Sequence, residues 1–327
     1  MPRALLLGLL LLPMLLPMLL LGACAPSLER FPVLPVATPP SGDIGVTFLG
    51  VSTLLIDDGD KRIMVDGFFT RPGKFKTLLG RIAPDEEVVM PALKKYGATS
   101  LDVVVTLHSH HDHAMDAPLV AERSKARLFG SYSTRMIMEG MKQPWPAFEL
   151  IEPGKTYPFG AFRLTLFEAE HSKQLEWISA PGNLTKPLQT PAYFNNYLEG
   201  GAYALLVEHR GRRILVLGSA GLIKAEPERY KADLVFLAIG GHGRQDLKTR
   251  WEYWDNAVLD AGAKRVIPTH WDDFTRPLSE PLQPFPWPVE DVPAALDEMR
   301  IWGGAKIEVL LPPVATRFDP FVKLPAR

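Results

Sequence analysis

The sequence predicts a protein of the α/β class, in which apolar strands alternate with helices. Residues 101–107 form a short, continuous, valine-rich apolar run, which is typical of a buried strand. Residues 114–125 follow this run and have the pattern of a helix. Residues 86–96 place Val89 and Leu93 at helical spacing, which indicates an amphipathic helix.

The first elements of the predicted domain are strands. Residues 45–66 form three short apolar segments, and the Asp58-Gly59-Asp60 turn indicates a hairpin between two of them. Residues 68–81, with aromatic and basic side chains, are predicted to be a loop that could form one lip of a cleft.

The remaining elements continue the alternation. A long segment of little periodicity, residues 172–201, contains Trp177, Tyr193, Phe194 and Tyr197, which favours a lid or a substrate wall, with ordinary loop packing as the alternative. Strands are predicted at residues 127–130, 163–171, 202–209, 212–217, 231–239, 265–270 and 306–311, and helices at about 133, at 251–261 and at 292–300.

Charge and length limit the classes of function. The chain has 36 Lys and Arg residues against 37 Asp and Glu residues, so no basic field indicates nucleic-acid binding. Residues 44–327 are long enough for one large core and show no internal repeat. We therefore expect one catalytic domain over residues 44–327.

The N-terminus predicts export and anchoring. One cation, Arg3, precedes a Leu/Met-rich run through residue 21, which is a secretory signal pattern. A transmembrane anchor is the competing interpretation, although Pro13 and Pro17 would disturb a regular helix. The run ends in Leu-Gly-Ala-Cys24, which resembles the bacterial lipobox, and Cys24 is the only cysteine of the chain.

That resemblance implies a signal peptide over residues 1–23 and a lipid anchor on Cys24. The alternative is a plain signal peptide that ends beside a chance buried thiol. Residues 24–43 are proline-rich and are predicted to be an extended tether. Ala25 after the cysteine resembles the sorting pattern for the outer membrane, so we expect a lipid-anchored protein on its periplasmic face.

A dense polar motif follows the strand at residues 101–107. His108, His110, Asp112 and His113 have the spacing H-x-H-x-D-H and lie in the turn that leads to the next helix. Imidazole and carboxylate groups are ligands of zinc and similar divalent metals, and α/β sheets place ligands at the carboxyl ends of strands. The alternative is a merely solvated polar turn.

This motif resembles the signature of the metallo-β-lactamase fold superfamily of metal-dependent hydrolases. The resemblance implies a four-layer αββα metallo-β-lactamase-like sandwich. It also implies that His171, at the end of a later strand, joins His108 and His110 at a first metal. His270 would join Asp112 and His113 at a second metal, and Asp66 would support a ligand from behind. A simple turn aspartate is the alternative for Asp66.

The chain departs from the superfamily at Ser219. Most relatives carry there an aspartate that bridges both metals, and a neutral hydroxyl is a poorer ligand. His242, after a Gly-Gly turn, could contact substrate, replace the missing ligand or only cap a loop. The Gly-Gly turn resembles the branch of ascorbate-6-phosphate lactonase and N-acyl-phosphatidylethanolamine phospholipase D.

These features predict a metal-dependent hydrolase with one or two zinc ions, although another divalent metal would also suit the ligands. Its metal-activated water would attack an ester, lactone or phosphodiester in a small-molecule or lipid-like substrate. Asp112 would bind a second metal or act as general base, and His113 and His270 would be ligands or proton donors. The alternative is a non-catalytic or weakly active metal-binding lipoprotein of the same fold, in which Ser219 marks lost catalysis.

Overall fold

The computed structural model describes residues 25–141, 144–173, 180–287 and 289–325. Two mixed sheets of seven strands each lie at its centre, in the orders β14-β1-β2-β3-β4-β5-β6 and β13-β12-β11-β10-β9-β8-β7. The first sheet consists of β1 (Gly45–Phe48), β2 (Leu54–Asp57), β3 (Arg62–Val65), β4 (Val103–Val105), β5 (Arg127–Gly130), β6 (Phe148–Leu150) and β14 (Arg317–Phe318). The second consists of β7 (Thr156–Phe159), β8 (Phe162–Ala169), β9 (Ala202–His209), β10 (Arg212–Leu217), β11 (Leu234–Ala238), β12 (Arg265–Thr269) and β13 (Glu308–Val309).

Helices cover the outer face of each sheet. In β3, Ile63 and Val65 pack into the core between the sheets, whereas Met64 points to the helices outside, as the two-residue period of a strand requires. The predicted α/β class and four-layer order are therefore confirmed. The helices are α1 (Lys74–Leu79), α2 (Glu86–Lys95), α3 (His111–Ala114), α4 (Ala117–Ser124), α5 (Tyr132–Glu139), α6 (Leu247–Trp254) and α7 (Val292–Gly303), with 3-10 turns at Phe194–Asn196, Pro227–Arg229 and His242–Arg244 and a π-helical segment at Asp255–Leu259.

Strand direction brings the candidate residues to one edge. Strands β3, β4 and β5 are parallel, and so are β10, β11 and β12. Strand β8 is antiparallel to β9, which is antiparallel to β10, so β8 runs in the same direction as β10. The carboxyl ends of these strands therefore share an edge within each sheet, and the loops that leave them carry the polar residues.

Three helical predictions differ from the structure. The predicted loop 68–81 contains α1. The predicted helix 114–125 is shorter in the structure, where α4 covers Ala117–Ser124 and α3 is a separate turn before it; between them Asp116 turns its carboxylate to the backbone of Phe69 and Thr70. The predicted helix 251–261 begins earlier, where Asp246 caps the N–H of Thr249, and ends in the π-helical segment.

The predicted tether is packed onto the domain in its middle. Phe31 and Leu34 are buried in the main core, and the N–H of Leu34 donates to the carbonyl of Leu311 at 2.9 Å. The chain is thus fixed to the domain well before residue 44, because these apolar side chains gain more from burial than an extended tether allows. The remaining division into signal peptide and domain stays a prediction. Residues 1–23 and Cys24 lie outside the described residues.

Within the described ranges, no helix has both the length and the apolar character needed to cross a membrane.

Asp116 is a buried carboxyl that joins α4 to the segment after β3. It accepts hydrogen bonds from the N–H of Phe69 at 2.7 Å, the N–H of Thr70 at 2.6 Å and the hydroxyl of Thr70 at 2.6 Å. Burial nevertheless raises the pKa of Asp116 from 3.8 to about 6, against the lowering effect of these bonds.

The substitution Asp116→Asn is expected to change how stability depends on pH. Because the folded pKa lies above the unfolded one, the native wild type binds more protons between about pH 4 and pH 6, and its free energy of unfolding falls as the pH rises through this window. Compared with Asp116→Asn, the wild type should lose about 3 kcal/mol of its free energy of unfolding across this window, and this difference should stay constant above the folded pKa.

Denaturant unfolding of both metal-free proteins across the pH range measures the difference. Asp116→Ala serves as a control, since it leaves the three donors unpaired and should cost about 2 kcal/mol or more throughout. Parallel pH profiles for wild type and Asp116→Asn would contradict the raised pKa.

Candidate metal centre

The turn after β4 carries the H-x-H-x-D-H motif. The turn begins after Val105, and there the N–H of Leu107 donates to the Asp66 carboxylate at 2.8 Å. The chain bends after the strand, His110 is extended, and the single-turn helix α3 follows, where the N–H of Ala114 donates to the carbonyl of His110 at 2.8 Å. This turn brings His108 and His110 close to His171, and Asp112 and His113 close to His270.

The first group consists of His108, His110 and His171. One ring nitrogen of each lies within 4.8 Å of the others. Nδ1 of His171 lies 2.9 Å from the carbonyl oxygen of Ser172 and donates its proton there. The lone pair of Nε2 is therefore the one that can bind a metal. Burial lowers the pKa of His171 to about 3 and that of His108 well below its usual value, so both rings are neutral and able to bind a metal.

The second group consists of Asp112, His113 and His270, and its atoms have the spacing of ligands around one ion. Nε2 of His270 lies 3.2 Å from Oδ2 of Asp112 and 3.2 Å from Nε2 of His113, and the third side of this triangle is 3.5 Å. Tetrahedral ligands bound to zinc at 2.0–2.2 Å lie about 3.3 Å apart. The three side chains are therefore already arranged to hold a divalent metal.

The charges of the second group favour a cation at this point. Burial raises the pKa of Asp112, but the nearby His113 and the hydrogen bond from His270 outweigh it and hold the pKa well below 3.8. Burial lowers the pKa of His113, but the carboxylates of Asp66 and Asp112 outweigh this and raise it. A buried ionised carboxylate needs a positive partner, and a metal ion fits this position and this set of donors.

Asp66 supports the second group from behind. Its residue follows β3 in a left-handed conformation, with φ of 56°, and is completely buried. Oδ2 lies 2.7 Å from Nδ1 of His113, while Oδ1 accepts from the N–H of Leu107. The carboxylate thus holds the Nδ1 proton of His113 and directs Nε2 to Asp112 and His270.

Ser219 and His242 are not brought into either group. Oγ of Ser219 accepts from the N–H of Ser172 at 3.0 Å and lies 3.3 Å from the Ser172 hydroxyl, so it fixes the segment that follows His171. The ring of His242 is buried 5.9 Å from Tyr253 and 6.4 Å from Trp302, on the side of α6 and α7. The expectation that His242 replaces a ligand is therefore not met, because the turn after β11 directs its ring away from the metal edge.

Aromatic side chains form a wall beside the second group. The buried ring of His111, which the sequence analysis left without a role, lies between Phe68, Phe194 and Phe274 at 6.1, 5.8 and 5.7 Å. Phe274 also lies 5.9 Å from His270. Phe194 comes from the long segment 172–201, so this part of the segment reaches the site, whereas Tyr197 is buried in a core cluster. Trp177 lies outside the described residues.

A buried ion pair that sequence reasoning missed positions His270. The Arg71 guanidinium lies 2.8 Å from the Asp272 carboxylate, and both side chains are fully buried. Asp272 also accepts from the N–H of Val51 at 2.7 Å, and the carbonyl of Val51 accepts from the N–H of His270 at 2.7 Å. The only signal in the sequence was Asp272 two residues after His270, since nothing in the pattern links it to Arg71.

Gly50 makes room for this ion pair. Its φ is 89°, and a Cβ there would lie 2.1 Å from the Arg71 guanidinium and 2.7 Å from the Asp272 carboxylate. Gly59 has the same φ of 89° but no atom within 4 Å of its Cβ position, which makes it a matched control.

Gly50→Ala should therefore do more than strain the backbone. Gly50→Ala and the control Gly59→Ala both bear the strain of a left-handed alanine, about 1 kcal/mol. Only Gly50→Ala also displaces a buried ion pair, at a further cost of about 3 kcal/mol. Denaturant unfolding and competition with a chelator measure stability and metal affinity. We expect Gly50→Ala alone to weaken metal binding at the group that contains His270, and equal effects of both variants would remove the ion pair from this role.

Comparison with known proteins shows the family to which the chain is similar. Residues 61–271 match the family model described as the beta-lactamase superfamily domain. A UPF0173 metal-dependent hydrolase of Cupriavidus necator is 30% identical over 239 residues, which cover 68% of this chain and 74% of that protein. A UPF0173 metal-dependent hydrolase of Methylobacterium nodulans is 28% identical over 235 residues, which cover 70% of this chain and 85% of that protein.

Two solved structures share the architecture. The metallo-beta-lactamase fold protein YhfI from Bacillus subtilis has a TM-score of 0.52 at 15% identity and covers 85% of this chain and 100% of its own. Igni18, a metallo hydrolase from Ignicoccus hospitalis, has a TM-score of 0.51 at 19% identity, and the match covers 84% of this chain and 98% of Igni18. These likenesses confirm the predicted four-layer metallo-β-lactamase-like sandwich.

Proposed function

This chain belongs to the metallo-β-lactamase superfamily and, within it, to the UPF0173 metal-dependent hydrolases, and we propose that it hydrolyses an ester, lactone or phosphodiester at a zinc centre. The spacing of 3.2 to 3.5 Å among the ligand atoms of Asp112, His113 and His270 carries this proposal. Five imidazoles and one carboxylate in the two groups are a donor set that suits zinc better than magnesium or calcium, which prefer oxygen.

A divalent metal in these groups would lower the pKa of a bound water to near 7 and polarise the scissile carbonyl or phosphoryl oxygen. His108, His110 and His171 would hold it in the first group. The pKa of Asp112 is held well below 3.8, so its carboxylate is ionised, and it would bind a second metal or otherwise orient the water and act as general base. His270 and His113 would complete a second site or, with one metal bound, donate a proton to the leaving group.

The aromatic wall supports a preference for apolar substituents. Phe194 and Phe274 lie beside the second group and are only half-buried, so a substrate could bury further apolar surface against them. This favours small-molecule or lipid-like substrates and agrees with the lactonase and phospholipase-like branch. Nucleic acid is disfavoured by the balanced charge of the chain.

We further propose that the protein is anchored in the bacterial cell envelope through lipid on Cys24, on the periplasmic face of the outer membrane. The apolar leader and the Leu-Gly-Ala-Cys24 sequence support this location.

Asp112→Asn tests the catalytic proposal. The amide keeps the size of the side chain but loses its charge and its capacity to accept a proton, so turnover should fall by about 10²-fold or more while His108, His110 and His171 still bind metal. Elemental analysis and hydrolysis of activated esters, lactones and phosphodiesters measure both quantities. Unchanged turnover would remove Asp112 from the mechanism, and absence of metal from the wild type would remove the metal centre.

A second candidate is a metal-binding lipoprotein without catalysis, and the neutral Ser219 favours it. Ser219→Asp would add a carboxylate close to His171, whereas Ser219→Asn adds similar volume without charge. If the hydrolase proposal is right, Ser219→Asp should raise second-metal affinity and turnover, by about tenfold for a favourable interaction of 1.4 kcal/mol, and Ser219→Asn should not. Tighter metal binding without turnover on any of these substrates would favour the binding protein.

A further inference from the structure

Helices α6 and α7 expose a group of large apolar side chains, which we call the α6–α7 face. Leu247 and Trp251 lie one turn apart on α6 and are 59% and 40% exposed, and Ile301 on α7 is 77% exposed. The half-buried Trp302 joins them, because its ring lies 5.4 Å from that of Trp251 and its backbone follows Ile301. Large exposed apolar side chains that are grouped in this way mark a protein or membrane contact more often than isolated ones do.

The N-terminal segment leaves the domain beside this face. Leu28 packs against the main core, and the Arg30 guanidinium donates to the Asp297 carboxylate at 3.0 Å. Asp297 lies one turn before Ile301 on α7, so Arg30 and Ile301 occupy the same side of the helix. The chain upstream of Leu28 therefore departs from the edge of the α6–α7 face.

The chain between this point and the apolar leader is short. Leu28 is the fourth residue after Cys24, so the two lie at most about 14 Å apart when the chain is fully extended. A leader or lipid at Cys24 that lies in a bilayer would therefore keep Leu28 within that distance of the bilayer surface, and Arg30, two residues later, is tied to α7.

We propose that the α6–α7 face rests on a phospholipid bilayer, with Leu247, Trp251 and Ile301 among the lipid headgroups. Tryptophan favours this depth because its ring is apolar and its N–H is polar. The proposal depends on the membrane anchoring proposed above but not on the hydrolase activity. Basic and acidic side chains are mixed around the face, which predicts an apolar contact with neutral lipid rather than an electrostatic one: Arg30, Lys248, Arg250 and Arg300 against Glu252, Asp297 and Glu298.

A second exposed apolar group, Phe75 and Leu79 on α1, is a weaker candidate. The N-terminal segment is fixed to α7 through the Arg30–Asp297 ion pair. The short chain to Cys24 thus favours the α6–α7 face.

This contact would place the metal edge near the lipid. Helix α6 begins two residues after the turn that follows β11, and Glu290 accepts from the N–H groups of Gly241 and Gly243 in that turn at 2.6 and 2.9 Å. The same turn leaves the sheet at the edge that carries His270, so a lipid-like substrate would have a short path to the site.

The test uses the full chain in phosphatidylcholine vesicles with and without bromine on the acyl chains, because bromine quenches tryptophan only at close range. Trp251→Phe is compared with Trp145→Phe, since Trp145 is 44% exposed but lies on the side of the first sheet, beside Lys125 and Arg127. We expect the bromolipid-dependent quenching of the wild type to fall by about one half in Trp251→Phe and to stay unchanged in Trp145→Phe. Salt should have little effect on either result.

Each other outcome overturns the proposal. If the chain does not sediment with vesicles, the anchoring and the docking face are both wrong. If it sediments but Trp251→Phe is quenched like the wild type, the anchoring stands and the face is wrong. If Trp251 is shielded from acrylamide in detergent only at high protein concentration, the face instead contacts a second copy of the chain. Metal content and hydrolysis of a water-soluble ester, measured on the same samples, report the proposed function independently.

Discussion

The buried carboxylate of Asp66 is the constraint on which the centre depends. It lies between the end of β3 and the turn after β4, accepts from the N–H of Leu107 and holds Nδ1 of His113. A carboxylate without solvent is costly unless its oxygens are hydrogen-bonded and its charge is balanced, and both conditions are met only when the turn has this conformation. Burial raises the pKa of Asp66, which reflects the cost that these partners offset.

Around Asp66, the ligands converge from both sheets. Four of the six candidate ligands come from the turn after β4, and His171 and His270 come from the ends of β8 and β12 in the second sheet. The rings of His108 and His171 are neutral because burial disfavours their charged forms, so their lone pairs are available without loss of a proton. The Arg71–Asp272 ion pair then fixes the backbone beside His270. These contacts hold the candidate ligands in place through the protein's own hydrogen bonds and ion pairs.

Ser219 makes this centre differ from the pattern that its family resemblance implies. Its hydroxyl is used to hold Ser172 next to His171, so the loop position is kept although the bridging charge is lost. The remaining negative charge, Asp112 and Asp66, lies on the side of the second group. This distribution favours a cation there through electrostatics, while the first group offers three imidazoles and no carboxylate.

The sequence by itself predicted the α/β class and the H-x-H-x-D-H motif, because strand periodicity and motif spacing are local. His171, His270 and Asp66 were implied by the family resemblance, and the structure places all three beside that motif. The tertiary structure decided what depends on contacts between distant segments: that His242 turns away toward α6 and α7, that Arg71 pairs with Asp272, and that Phe31 and Leu34 pack on the domain instead of forming a tether. Strand periodicity is local and can be read from neighbouring residues, whereas the partner of a buried charge or of an isolated apolar side chain is set by the packing of the whole chain.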